Sequence, residues 1–324
     1  MHDPQNRNAS GRLAQVARFA AGFGLAVATV GTVLAFTVKD RWVVTALIYY
    51  ATPWLLRGIA GAFAAVVMGW RRRWWFLKSL PGLAVAGIAA MQAWDSVKLS
   101  TPITGATTLT VATWNTGHVF HSDRALWPAA GESDVCAIVE TGHFSEQEWS
   151  DFIASRPGES WLRLDAGTAL GVKGEILDSV PIHGADDPFR AFRNTVRLPG
   201  KKDFCVVVID IHSQPWIDRQ PILAAIRQAT IDAGADRHCI FLGDFNTPCE
   251  SRWLEEWKAA GLTLANDGPG QGIRETWPYG IPLLTLDQIW INSAWECEGV
   301  WHERFGSDHA KVIAALEEGG DARQ

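Results

Sequence analysis

Eight residues stand where apolar runs stop or start, and their types could do chemistry: Asn115, Glu140, His212, Asp244, Asn246, Asp287, Asp308 and His309. The plainest case is CIFLGDFNTP, residues 239–248. Residues 240–242 read as a short buried strand. Gly243 reads as its end, where the backbone turns. Asp244 and Asn246 follow two apart, a carboxylate and an amide that can donate or accept. Such a pair can polarise a water or steady a phosphoryl oxygen beside a hard cation. Taken alone, the string also fits an Asp/Asn turn between strand and helix; the other six residues give it partners. Three or four oxygen ligands with imidazoles nearby suit Mg²⁺ or Mn²⁺ and not a dedicated zinc cage. A cation of that kind would neutralise phosphate charge, and two histidines can serve as phosphate donor and proton shuttle.

These residues need strand ends to hold them. LTVATWN (109–115) alternates like a strand, and VCAIVE (135–140) runs into its carboxylate. Between them Pro128 breaks a helical stretch. Residues 145–155 read as a helix, since Ser145 and Glu148 make a capping box. Residues 169–180 and 192–198 are β-like, and FCVVVIDIH (204–212) is a strongly apolar strand. Residues 218–233 read as a helix with Pro221 in its first turn and Gly234 past its end. A further helix over 251–260 is capped by Ser251 and stopped by Gly261. Residues 286–292 and 311–316 are the closing strands. The five cysteines match no zinc pattern. Cys205 and Cys239 each begin an apolar strand and are candidate neighbours, as a disulfide or as separate buried thiols.

The N-terminal hundred residues are different in kind. They hold 11 Lys/Arg against 3 Asp/Glu, a formal charge near +8, while the rest of the chain is near −14. Residues 19–38 carry no charge over 20 positions, enough to cross a bilayer. A second span is expected at 53–70, with Arg57 snorkelling outward, and a third at 74–94. Residues 42–50 would lie at the interface, where Trp and Tyr are favoured. Arg7, Arg12, Arg18, the run Arg71, Arg72, Arg73 and Lys78 outweigh Lys39 and Arg41. That bias places the N-terminus inside and the acidic portion on the outer, periplasmic or extracellular, side of a multi-pass membrane protein. The resulting division is an anchor over 1–97, a linker over 98–108, a catalytic domain over 109–317 and a tail over 318–324.

Six motifs occur in a fixed order: TWN (113–115), AIVE (137–140), DIHS (210–213), GDFNTP (243–248), LDQIW (286–290) and SDH (307–309). Together they resemble the endonuclease/exonuclease/phosphatase superfamily, the DNase I-like proteins. TWP (276–278) ahead of the LDQIW strand, with the preceding apolar spans, is similar to membrane-anchored bacterial members. The resemblance implies a four-layer α/β sandwich, two packed mixed β-sheets flanked by helices, here with N-terminal transmembrane helices. It implies Mg²⁺ or Mn²⁺ as cofactor, with Asn115, Glu140 and Asp308 at the metal and Glu140 its direct ligand. It implies that Asp244 and Asn246 orient the attacking water and contact the scissile phosphate. His309 is then the catalytic imidazole with its tautomer fixed by Asp287, and His212 a second histidine for phosphate binding or proton donation.

Two departures bear on specificity. Glu140 is followed by Thr141–Gly142–His143, and the turn after Asn115 carries His118. These histidines either reach the site and alter substrate choice or are solvated. The implied reaction is metal-dependent hydrolysis of a phosphodiester. Nucleic acid, lipid head group and soluble phosphoester are rival substrates. The acidic balance disfavours long duplex DNA, whose binding depends on Lys and Arg. A patch of Arg190, Arg193, Arg197, Lys201 and Lys202 could still hold a short strand or a phosphorylated head group. The expected partners are the lipid bilayer and a phosphoester, with no protein partner. A reading of another class, a catalytically inactive membrane-tethered binding protein, is opposed by intact Glu140, Asp244, Asn246, Asp308 and His309.

Overall fold

The computed structural model describes residues 4–69, 75–99, 109–165, 167–234 and 238–319. The chain divides into two compact units, Met1–Ser96 and Val97–Gln324.

The first unit is helical: α1 (Pro4–Phe36), α2 (Val43–Ala51), α3 (Trp54–Gly69) and α4 (Trp75–Ser96). One described helix, over Arg12–Phe36, is long and apolar enough to cross a membrane. The expected second span, 53–70, is the 16-residue α3, which is long and apolar enough only together with α2, to which it is bent by 65° across Thr52 and Pro53. The expected third corresponds to α4, a 22-residue helix that includes Lys78, Pro81 and Gln92, and it is not among the described helices that are long and apolar enough to cross. Arg57 does not snorkel outward. It is buried on the inward stripe of α3 with Gly61, Ala64 and Ala65, at helical spacing. Opposite it α4 approaches closely, because a Cβ on Gly61 would lie 2.7 Å from the Gly82 carbonyl oxygen. Small residues let helices meet this way. Residues 70–74, which include Arg71, Arg72 and Arg73, lie outside the described residues, as do 100–108 of the linker and 320–324 of the tail.

In chain order the second unit runs β1 (Val97–Lys98), β2 (Leu109–Asn115), α5 (Trp127–Ala130), β3 (Val135–Val139) and α6 (Glu146–Ala154). Next come β4 (Ser160–Arg163), β5 (Ala169–Val172), β6 (Glu175–Pro181), β7 (Phe189–Arg197), β8 (Phe204–Ile211) and α7 (Arg219–Asp232). It ends with β9 (Cys239–Asp244), α8 (Arg252–Ala259), β10 (Thr263–Leu264), β11 (Gly272–Ile273), β12 (Asp287–Ile291), β13 (Trp295–Glu303) and β14 (Lys311–Glu318). One six-stranded sheet has the order β10-β12-β9-β8-β7-β6 and the other β13-β14-β2-β3-β5-β4. Both are mixed, with parallel pairs β8–β9 and β2–β3 at their centres.

Period-two alternation assigns each strand's faces. In β8, Phe204, Val206 and Val208 enter the core between the sheets. Cys205, Val207, Ile209 and Ile211 enter the outer core under α7 and α8. In β3, Val135, Ala137 and Val139 face the inter-sheet core. Cys136 and Ile138 face Trp127 and Phe152 of α5 and α6. Central strands are therefore apolar on both faces, which is why they read as continuous runs. Two packed mixed sheets flanked by helices result.

The helix caps follow the residues that predicted them. Ser145 accepts from the Glu148 amide while the Glu148 carboxylate accepts from the Ser145 amide. Asp218 and Ser251 cap α7 and α8. Several expectations need correcting. Pro128 does not break a helix; it stands in the first turn of α5, where its missing N–H is harmless. The run 169–180 divides into β5 and β6, which belong to different sheets. At the break a Cβ on Gly174 would meet the Arg197 carbonyl oxygen at 2.1 Å. The nine-residue β13 was not anticipated; its alternation is interrupted by a register shift between Cys297 and Gly299. All five cysteines are free, although Cys205 and Cys239 are register partners.

Gly243 does not end its strand. β9 continues through it to Asp244, paired with β8 on one side and β12 on the other. Its φ is 148°, and a Cβ would stand 1.8 Å from the Ile209 carbonyl oxygen. Gly243→Ala must therefore displace a central strand. We expect a loss of about 3 kcal/mol or more in urea unfolding of the full chain; a change below about 0.5 kcal/mol would contradict this packing.

Candidate functional site

The strand register sets the site. β2, β3, β8 and β9 end at one edge of the sandwich, delivering Asn115, Glu140, His212 and Asp244 there. β12 runs antiparallel to β9 and begins at that edge, so Asp287 is the register partner of Asp244. β14 runs antiparallel to β2, which brings 307–309 to the same edge.

Asp244 is fully buried. It accepts from Asn115 Nδ2 at 2.8 Å, from the Asn246 amide at 2.8 Å and from Asn246 Nδ2 at 3.0 Å. Burial raises its pKa to about 7, and Asp287 adds repulsion against the pull of His309. His309 Nδ1 lies 2.8 Å from Asp287 Oδ2 and 4.0 Å from Asp244 Oδ2. Burial opposes charge on the imidazole, but Asp287 overcomes it and lifts the pKa to about 10. His309 is thus an imidazolium at neutral pH, held by a buried carboxylate.

Asn246 has φ 44° and gives its second Nδ2 hydrogen bond to the Ile211 carbonyl at 2.7 Å. Both its Nδ2 hydrogens are thus spent inside the protein, on Asp244 and the Ile211 carbonyl. Asn115 likewise uses Oδ1 to accept from the Gly117 amide at 2.9 Å. Ser307 donates to the Asn115 carbonyl at 2.8 Å, and the His309 amide donates to Ser307 Oγ. Asp308 Oδ2 accepts from the Trp277 indole at 3.0 Å. His118 Nε2 lies 3.5 Å from Glu140 Oε2. His212 is exposed, and burial with Arg190 and Arg219 lowers its pKa, leaving a neutral ring. His143 is exposed.

Three contributors went unnamed in the sequence reading. Asp210 is the register partner of Asp244 across β8 and β9. Burial, then Asp244 and Glu140, push its pKa well above the carboxylate range. The signal was present in DIHS, two residues before His212. Thr276 Oγ1 accepts the amides of Leu286 and Asp287, and the Ala310 amide donates to the Thr276 carbonyl. Trp277, besides holding Asp308, has its ring 6.4 Å from that of His309. TWP was visible as a motif, but nothing in it showed that it straps β12 to the 308–310 segment.

A cation fits this edge. Asp210 and Asp244 are pushed toward their protonated forms by burial and by their neighbours' charge, a penalty that a divalent ion relieves. Asp287 Oδ1 is buried without a partner. Among the described residues Asp244, Asp287 and His309 bring side-chain atoms within 4.8 Å of one another; with His309 charged, it is the carboxylates of this group that a cation would draw on.

Residues 112–309 match the Endonuclease/Exonuclease/phosphatase family. No curated protein resembles the chain in sequence. A functionally unknown conserved protein from Enterococcus faecalis superposes with a TM-score of 0.52 at 14% identity, over 65% of this chain and 100% of that one. An endonuclease/exonuclease/phosphatase from Bacteroides vulgatus gives 0.52 at 16%, over 65% and 98%. TDP2 from D. rerio, complexed with single strand DNA product, gives 0.51 at 15%, over 64% and 98%. At these identities the likeness is one of fold.

The imidazolium has a consequence for stability. A raised histidine pKa contributes stability fully present below about pH 6.5 and lost as pH rises through about 10. In EDTA the melting temperature of His309→Gln should fall below that of the unmodified protein at pH 6.5. The gap should narrow toward pH 10; a constant gap would mean that His309 is neutral in the fold.

Proposed function

Because the chain belongs to the endonuclease/exonuclease/phosphatase family, it is a metal-dependent hydrolase of phosphate ester bonds, and we propose that it hydrolyses a phosphodiester from a membrane-anchored position. The observation that carries the chemistry is the buried Asp244–Asp287–His309 group, braced by Asn115 and Asn246.

Glu140 and Asp308, with Asn115 beside them, would hold Mg²⁺ or Mn²⁺, which when bound neutralises phosphate charge and stabilises the phosphoryl centre. Asp244, with its pKa near 7, accepts a proton from the attacking water. Asn115 and Asn246 fix the direction of its lone pairs. His309, charged and oriented by Asp287, donates from Nε2 to a phosphoryl oxygen. His212, neutral at the rim, contacts the phosphate.

Anchoring is supported by α1, whose outward side chains include Phe19, Phe23, Val30, Val33 and Phe36, each about half exposed or more. Such a surface is unfavourable in water and suited to lipid. By the basic-residue bias the catalytic unit lies on the outer side. An export-dependent reporter fused after Leu316 should be active.

For substrate, a lipid-linked or small phosphoester is favoured over nucleic acid. The candidate basic patch is largely spent within the protein. Arg197 pairs with Asp203 at 2.7 Å, Lys201 with Glu318 at 3.5 Å, and Arg190 lies 3.7 Å from Asp165. Arg193 donates to the Ala229 carbonyl. A phosphate backbone binds through free Lys and Arg, and the acidic balance beyond residue 100 opposes a polyanion.

Activity should vanish in EDTA, return with Mg²⁺ or Mn²⁺, and fall by about 10³-fold or more in Asp244→Ala and His309→Ala with the fold retained. Turnover of plasmid DNA, phospholipid vesicles and a small diester is then compared at physiological salt. Plasmid as the fastest substrate would restore the nuclease reading.

A further inference from the structure

The turn that carries His118 is tied to the strand end that carries Glu140. The Thr116 amide donates to the Val139 carbonyl at 3.0 Å, the His118 amide to the Glu140 carbonyl at 2.7 Å and the His121 amide to the Thr141 carbonyl at 3.0 Å. Thr116 Oγ1 also donates to the Glu140 carbonyl at 2.8 Å. His118 and Glu140 both adopt left-handed backbone, φ 65° and 51°, which side chains other than glycine adopt at a cost. The result places His118 Nε2 3.5 Å from Glu140 Oε2 on a side chain 70% exposed.

Two atoms bound to one cation at about 2.1 Å stand roughly 3.0–3.5 Å apart, depending on the angle between them. The His118–Glu140 separation is in that range as it stands. We infer that His118 Nε2 is a nitrogen ligand beside Glu140 and that it shifts the site's preference from Mg²⁺ to Mn²⁺. This rests on Glu140 being a metal-holding carboxylate. Mg²⁺ seeks oxygen and gains little from imidazole, whereas Mn²⁺ is a transition ion that accepts it. A ring that only paired with Glu140 from solvent would not need a strained backbone laced to the Glu140 strand. His309 does not supply this nitrogen, because paired with Asp287 it carries protons on both ring nitrogens and has no lone pair to give.

The test uses the full chain in detergent. Mn²⁺ is added and pulsed electron paramagnetic resonance reads nitrogen coupling; calorimetry reads Mn²⁺ and Mg²⁺ affinity. His118→Asn is the main variant, since Asn tolerates the left-handed backbone. His118→Gln is the second, and melting temperature confirms that each is folded. We expect an imidazole nitrogen coupling in the unmodified protein that disappears in His118→Asn. Mn²⁺ affinity should fall about tenfold or more, with a change in Mg²⁺ affinity below about threefold. No nitrogen coupling in the unmodified protein, coupling retained in both folded variants, or equal losses for both ions would overturn the inference. Glu140→Gln separates the two levels. If it weakens neither ion, the reading of Glu140 falls and this inference with it; if it weakens both while His118→Asn weakens neither, only the inference falls.

Discussion

The sandwich places two carboxylates directly opposite each other on paired strands and buries both. Asp244 and Asp287 are register partners on β9 and β12, and each is 0% exposed. Like charges across a strand pair are unfavourable, more so without water. Much at this edge of the fold compensates for that pair. His309 brings an imidazolium to Asp287. Asn115 and Asn246 direct three N–H donors at Asp244. Thr276 fixes the backbone at Asp287 and, through Ala310, the segment that supplies the imidazole. The inward-facing apolar residues of twelve strands hold this edge in register, so the Asp244–Asp287 pairing is set by the core, and the segments just past the strand ends are built around it.

Much of this was legible in the chain because strands buried on both faces leave an unmistakable pattern. A polar residue at the end of VVVI or CIFL has to be explained, and Asp244, Glu140 and His309 drew attention on that ground. Helix starts were equally readable, since Ser145, Asp218 and Ser251 cap by local chemistry. What could not be read was pairing. Nothing in the sequence places Asp287 beside Asp244 or Asp210 beside Asp244, because register is a property of two strands. For the same reason Gly243 looked like a strand end. Its positive φ serves the close approach of β8, which only the assembled sheet reveals. In the N-terminal helices it was the packing that could not be read. Hydropathy counts residues along the chain, whereas Arg57 is covered by neighbouring helices and α2–α3 bends at Pro53.

Backbone strain marks the division between what the core fixes and what the loops set. Among the described residues four non-glycine positions have positive φ, and His118, Glu140 and Asn246 are three of them. All three lie just past strand ends at the catalytic edge. A strand delivers its last side chain up or down relative to the sheet, not sideways into a cleft. Turning Glu140 and Asn246 into the site requires leaving the extended conformation at once, and the left-handed region is the shortest route. The strain is affordable because the adjoining strands are among the best-packed parts of the molecule, with Val139 and Leu242 fully buried. The turn that carries His118 is then laced to the Glu140 segment by backbone hydrogen bonds, so its side chain is placed by the same strain. Asn115, Asp244 and Asp287 are seated on the sheets themselves. The turns and connections beyond them add His118, His212 and the strap at Trp277 to the same edge.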